Sequence, residues 1–178
     1  MRAFWHVGLE SGFHSQIVRV PARGQTIVIL GNRRDLDTDG ICKRILKILD
    51  GGTPEMPKRS LMKAILEAAA VGGGNAAVSR FHAVLSEPRG YDTSETQALI
   101  AAIELRSDRA CDRAAPIYEA WLKRYPSSRY QATALSGAGD CRLLLGEKER
   151  ARLHIERLAQ VEPNNSSLTD LRRRLTNH

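Results

Sequence analysis

Apolar and β-branched residues fill Gln16 to Val20 and again Thr26 to Leu30, and between them Pro21-Ala22-Arg23-Gly24 has the composition of a tight turn. That pattern predicts a β-hairpin, and Phe4 to Leu9 adds a third strand, giving a three-stranded antiparallel meander. The period then changes. Ile41, Ile45, Ile48 and Leu49 recur at helical spacing, with Asp37, Thr38 or Asp39 available to cap the first turn, so a helix is expected from about Asp39 to Leu49. Lys43, Arg44 and Lys47 fall on its other face. A basic amphipathic helix of this kind is compatible with a membrane surface, but covering one face of the meander is the simpler role.

The chain divides near Gly51-Gly52-Thr53-Pro54, where strand-like sequence gives way to almost continuous helical pattern. Two domains are expected, residues 1–52 and residues 53–178, and the fold class is α+β: meander plus helix first, all-α helical hairpins after it. Leu61 to Val71 and Ala76 to Leu85 form one predicted pair around a turn at Gly72-Gly73-Gly74, which lacks the Lys-Ser/Thr signal of a phosphate loop. Ser94 to Arg106, opened by a capping box of Ser94 with Gln97, pairs with Asp112 to Arg124. Arg129 to Leu145 pairs with Lys148 to Gln160, and Ser167 to Leu175 ends the chain.

Composition narrows the function classes. With 178 residues, 42% of them hydrophobic, the chain can bury a modest core, and its apolar runs fall far short of the roughly 20 residues a membrane span requires. No membrane partner is expected. Met-Arg-Ala-Phe-Trp-His leads straight into strand-like sequence without an apolar leader, so the chain as written is expected in the cytoplasm, although a longer parent could be exported. Cys42, Cys111 and Cys141 are odd in number and widely spaced, which suits buried small side chains better than a disulfide framework. The net charge of +7 admits an anionic partner, yet residues 1–60 carry 10 basic and 6 acidic side chains and the remainder 17 and 14. Only Arg33-Arg34 and Arg172-Arg173-Arg174 are compact, and no aromatics are interleaved for base stacking. A nucleic-acid-binding role therefore rests on charge alone and ranks last.

The run His6-Val7-Gly8-Leu9-Glu10-Ser11-Gly12-Phe13, followed by Ser15 to Pro21 and by Thr26-Ile27-Val28-Ile29-Leu30-Gly31-Asn32, resembles the closing stretch of a serine β-lactamase-like (penicillin-binding-protein-like) hydrolase. In that family a His-x-Gly or Lys-Thr-Gly box lies on a strand, a second strand starts near Gly-Phe-x-Ser, a third ends near Leu-x-Asn, and a last helix follows. The resemblance implies that His6 and Gly8 correspond to the third box and that the Leu9 backbone N–H would supply an oxyanion donor. It also implies that the Ser-x-x-Lys and Tyr-x-Asn boxes belong upstream, where only five residues precede His6. Residues 1–52 are then a remnant without a complete catalytic set, and a meander lacking neighbouring strands is expected to self-associate through its edge or to be disordered. Completed by an upstream part, such an enzyme would hydrolyse a β-lactam, peptide or ester.

The later hairpins resemble tetratricopeptide repeats. Gly139, Gly146, Ala151, Ile155 and Pro163 match the small, turn, small, large and closing positions, and Ala114, Tyr118, Leu122 and Pro126 take corresponding roles 37 residues earlier. In that earlier unit Ala101-Ala102 replaces the usual Leu-Gly and no glycine marks the turn. Tyr91 to Glu95 and Tyr118-Glu119-Ala120 also resemble repeat tails found behind some β-lactamase-like hydrolases. This resemblance implies a non-catalytic scaffold that binds a protein or peptide ligand, with Arg106, Arg109, Arg113, Arg142 and Arg150 as candidates to line its surface.

Other apparent motifs have plainer readings. Ser60-Leu61-Met62-Lys63 has the form of a nucleophile box, but it follows the His-x-Gly box instead of preceding it. Asp35-Leu36-Asp37-Thr38-Asp39-Gly40 opens like a calcium loop, but its twelfth position is Leu46 where a bidentate Glu is needed. His14, His82 and His154 show no ligand spacing, so neither a metal nor another cofactor is expected.

Overall fold

The computed structural model describes residues 2–10, 12–32 and 36–177. Ser11 of the hydrolase-like run, the pair Arg33-Arg34 and Asp35 of the apparent calcium loop lie outside the described residues. The chain is α+β, and it separates into two compact units, Met1–Pro57 and Lys58–His178.

In the first unit β1 (Phe4–Glu10), β2 (Phe13–Val20) and β3 (Gln25–Gly31) form an antiparallel sheet in the order β1-β2-β3. A short 3-10 turn at Pro21–Arg23 joins the last two strands, closed by Gly24 at φ +62°, where a side chain would be strained. The register sets Trp5 opposite Val18 and Val18 opposite Ile27, so one face carries Val18, Val20 and Ile27. The helix α1 (Thr38–Leu49) covers that face, capped by Asp37, whose carboxylate accepts from Gly40 N at 2.8 Å. Its inward stripe is Thr38, Cys42, Ile45 and Leu46, one step around from the expected stripe, and Ile48 and Leu49 stay exposed. Asp37 as a cap and Asp39 paired with Lys43 at 2.5 Å are engaged as helix-start residues.

The second unit begins at β4 (Arg59–Ser60), followed by α2 (Leu61–Ser86) and β5 (Tyr91–Asp92). β4 and β5 pair in parallel, Arg59 opposite Tyr91, which fixes the shape of what lies between. Were α2 straight, its 26 residues would span about 39 Å, and the five residues from Ser86 to Tyr91 could recover only about 18 Å. The chain must therefore fold back, and it does so at Gly72 and Gly73, the residues of α2 with non-helical dihedrals, Gly73 at φ +70°. The two arms, residues 61–71 and 74–86, make the hairpin that the glycine run implies.

Helices α3 (Glu95–Ser107), α4 (Cys111–Arg124), α5 (Gln131–Leu144), α6 (Lys148–Val161) and α7 (Leu168–Asn177) continue the alternation, each packed on the next. Ala77, Phe81 and Val84, then Ala114, Tyr118 and Trp121, then Ala151, Ile155 and Leu158 repeat one buried pattern at intervals of 37 residues. The first copy escapes the sequence because its turn is built from glycines and its closing proline is displaced. Small residues sit where helices approach: a Cβ on Gly139 would lie 3.2 Å from Ile155, and one on Gly74 would lie 2.9 Å from the Asp112 carbonyl oxygen, which Pro116 leaves without its helical donor. Truncating a fully buried large side chain such as Phe81 or Ile155 in this layer costs about 3 kcal/mol or more.

The hairpin turns also repeat. Ala110 N donates to Leu105 O and Glu147 N to Arg142 O, each at 2.9 Å, while Arg109 N and Gly146 N each close the inner bond at 3.0 Å. These are two copies of one helix-ending motif, and the position that needs a left-handed backbone is Gly146 in one and Arg109 in the other. At the opposite ends, Ser128 accepts from Tyr130 N and Asn165 from Ser167 N, again 37 residues apart. The capping box at α3 takes a different form: the Ser94 side chain does not cap, and Gln97 reaches across to accept from Ser60 Oγ at 2.9 Å and Met62 N at 3.1 Å, locking the start of α2 to α3.

Candidate functional site

His6 and Leu9 are exposed on β1, an edge strand, with His6 opposite Ile17 and Leu9 opposite His14. Gly8 faces Ser15, whose Oγ would lie 2.6 Å from a Cβ at that position. These residues share a strand but meet no serine–lysine pair among the described residues of their unit. Ser60, the candidate in the misplaced box, is a helix cap: its Oγ accepts from Lys63 N at 3.1 Å and donates to Gln97. The Lys63 ammonium lies 3.8 Å from Glu67, turned to solvent.

The predicted binding arginines are mostly spent inside the helical unit. Arg142, only 4% exposed, grips the Glu119 carboxylate with two nitrogens at 2.9 and 2.8 Å and reaches Glu147 at 2.7 Å. Arg150 bridges the same two carboxylates at 2.8 and 3.0 Å, and His154 Nε2 lies 3.2 Å from Glu119. Burial alone would raise the Glu119 carboxyl, but the hydrogen bonds from His154 and Arg142 and the charges of Arg142 and Arg150 outweigh it and hold it at about 2. Arg106 and Arg174 both hold Asp140, at 3.0 and 2.7 Å. Arg113 lies 3.9 Å from Asp112, and Arg109 is exposed in its turn. Arg142, Arg150 and Arg106 are thus neutralised by partners on other helices, and the five residues do not form one basic surface.

A different cluster carries unspent charge. A groove of about 960 Å³ is lined by Arg59, Arg80 and Arg89 around Tyr91, with Ala83 and Pro88 as its apolar wall. The Arg59 guanidinium stacks 4.0 Å over the Tyr91 ring, and Arg80 Nη2 donates to the Tyr91 hydroxyl at 2.6 Å. Tyr91 is itself 8% exposed, and Arg59 N donates to Gly90 O at 2.7 Å, so aromatic anchor and backbone are both fixed. No carboxylate pairs with these three arginines among the described residues. The cluster was missed in the sequence because its members are spread along the chain, Arg59 lying 21 residues before Arg80 and 32 before Tyr91. The signal that could have found it is the glycine hairpin, which returns the chain at residue 91 to its starting point at residue 59.

No three His, Cys, Asp or Glu side chains converge as metal ligands among the described residues, and no described helix is long and apolar enough to cross a membrane. No protein-family model matches the chain, nor does any curated protein.

Proposed function

We propose that the chain is a binding module: its helical unit, a tetratricopeptide-like array, holds a protein or peptide segment, and its N-terminal unit carries no reaction of its own. The observation that supports this reading best is the 37-residue recurrence of one buried pattern through three consecutive hairpins. Hairpins stacked in this way present a continuous surface on which an extended segment can lie across several repeats. The placement of Ser60 as a cap and of His6 on an exposed strand supports binding over hydrolysis.

A second reading, that the first unit is the end of a β-lactamase-like sheet, draws on its surface. Ile17 and Val28 face each other across β2 and β3 on the side away from α1, and both are exposed, as are Phe4, Phe13 and Leu30. Such a face invites further strands, a partner or a second copy. Intact-mass measurement after incubation with a fluorescent penicillin and a fluorophosphonate ester tests whether the chain carries a reactive serine of its own. No adduct is expected, and a stoichiometric adduct lost in Ser60→Ala would replace the binding module with a serine hydrolase.

A further inference from the structure

We propose that the groove around Tyr91 recognises an acidic protein segment, one that sets one or two Asp or Glu carboxylates beside an apolar side chain. This inference rests on the binding-module reading and names the partner's chemistry. Three observations carry it. Arg59 and Arg80 are both held by Tyr91, one by stacking on the ring and one by donating to the hydroxyl, so their remaining N–H edges are oriented without being used. A guanidinium fixed in this way offers the planar fork that matches a carboxylate, with little further ordering required. No carboxylate pairs with these arginines among the described residues, whereas Arg106 and Arg174 share Asp140 and Arg142 and Arg150 share Glu119. Finally, the exposed Ala83 and Pro88 give the groove an apolar wall beside its cations.

The same details disfavour a nucleic acid. The Tyr91 ring is covered by Arg59 and only 8% exposed, so it cannot take a base.

The test is fluorescence anisotropy of the full chain with three labelled probes: a peptide of alternating Glu and Leu, its Gln and Leu counterpart, and a single-stranded oligonucleotide of equal length. The acidic peptide is expected to bind, and both Arg59→Gln/Arg80→Gln and the Gln-containing peptide to weaken binding about tenfold or more. Arg172→Gln, an exposed arginine on α7, should leave binding unchanged. Arg59 and Arg80 are exposed, so the double variant is expected to keep its far-ultraviolet circular dichroism. Tight binding of the Gln-containing peptide, or acidic-peptide binding indifferent to the double variant, overturns this inference and leaves the binding module standing. Stronger oligonucleotide binding through the same arginines overturns it in favour of nucleic acid. Failure of both peptides overturns the acidic-segment inference alone, since the binding module is overturned separately by a stoichiometric penicillin or fluorophosphonate adduct.

Discussion

Arg109 and Gly146 occupy the same left-handed position in consecutive hairpin turns, 37 residues apart, at φ +61° and +74°. Glycine adopts that conformation freely, while an L side chain there costs about 1 kcal/mol. Arg109→Gly is therefore expected to stabilise the helical unit by up to about 1 kcal/mol, and Gly146→Ala to destabilise it by a similar amount. Urea denaturation followed by helical signal checks both, and equal shifts of the same sign would show that the two turns are not equivalent.

Gly137 is the point at which α5 crosses Tyr118. A Cβ on Gly137 would lie 2.4 Å from the Tyr118 ring, whose side chain is fully buried and has nowhere to move. Helix propensity favours alanine over glycine by about 1 kcal/mol, but overpacking costs about 1–3 kcal/mol and should prevail. Gly137→Ala is expected to lower the melting temperature. Gly137→Ala/Tyr118→Leu should recover part of the loss, whereas a double variant no better than the sum of the singles would place the strain elsewhere.

Stability should depend on pH through Glu119. Its folded-state carboxyl lies at about 2 against an ordinary 4.5, so folding favours the ionised form. The contribution is complete above pH 4.5 and is lost as pH falls toward 2. Glu119→Gln should cost about 2–3 kcal/mol at pH 7, because Arg142 is left buried without its main partner. The gap between wild type and variant should narrow between pH 4.5 and 2.5, and a constant gap would remove the network from the account.

The three cysteines are buried and free, and burial together with the neighbouring Cys111 thiol pushes the Cys141 thiol well above its usual range. Thiolate is the reactive form, so alkylation of the native chain at pH 7.5 should be slow at Cys141 and complete at all three sites in denaturant. Rapid native labelling at Cys141 would show that α4 and α5 separate readily.

The strands, the Pro21–Arg23 turn and the hairpin at Gly72 to Gly74 are legible in the sequence because β-branched runs, proline and glycine act locally. Pairings across helices are not. Nothing near Arg142 indicates that Glu119, 23 residues earlier, will neutralise it, and nothing near Gln97 indicates that its amide will bind the start of α2. The arginines singled out from the chain are therefore largely consumed by the fold. Those with charge to spare, Arg59 and Arg80, are gathered by a two-residue parallel bridge that no periodicity announces.

The most direct measurement of the central claim, that the helical unit is a binding module working through this groove, is a titration of the ¹⁵N-labelled full chain with the Glu-Leu peptide, followed by amide chemical shifts. Saturable changes concentrated at residues 58–60 and 80–91, absent with the Gln-containing peptide, are the predicted result. An unchanged spectrum, or changes confined to α5 and α6, would contradict it.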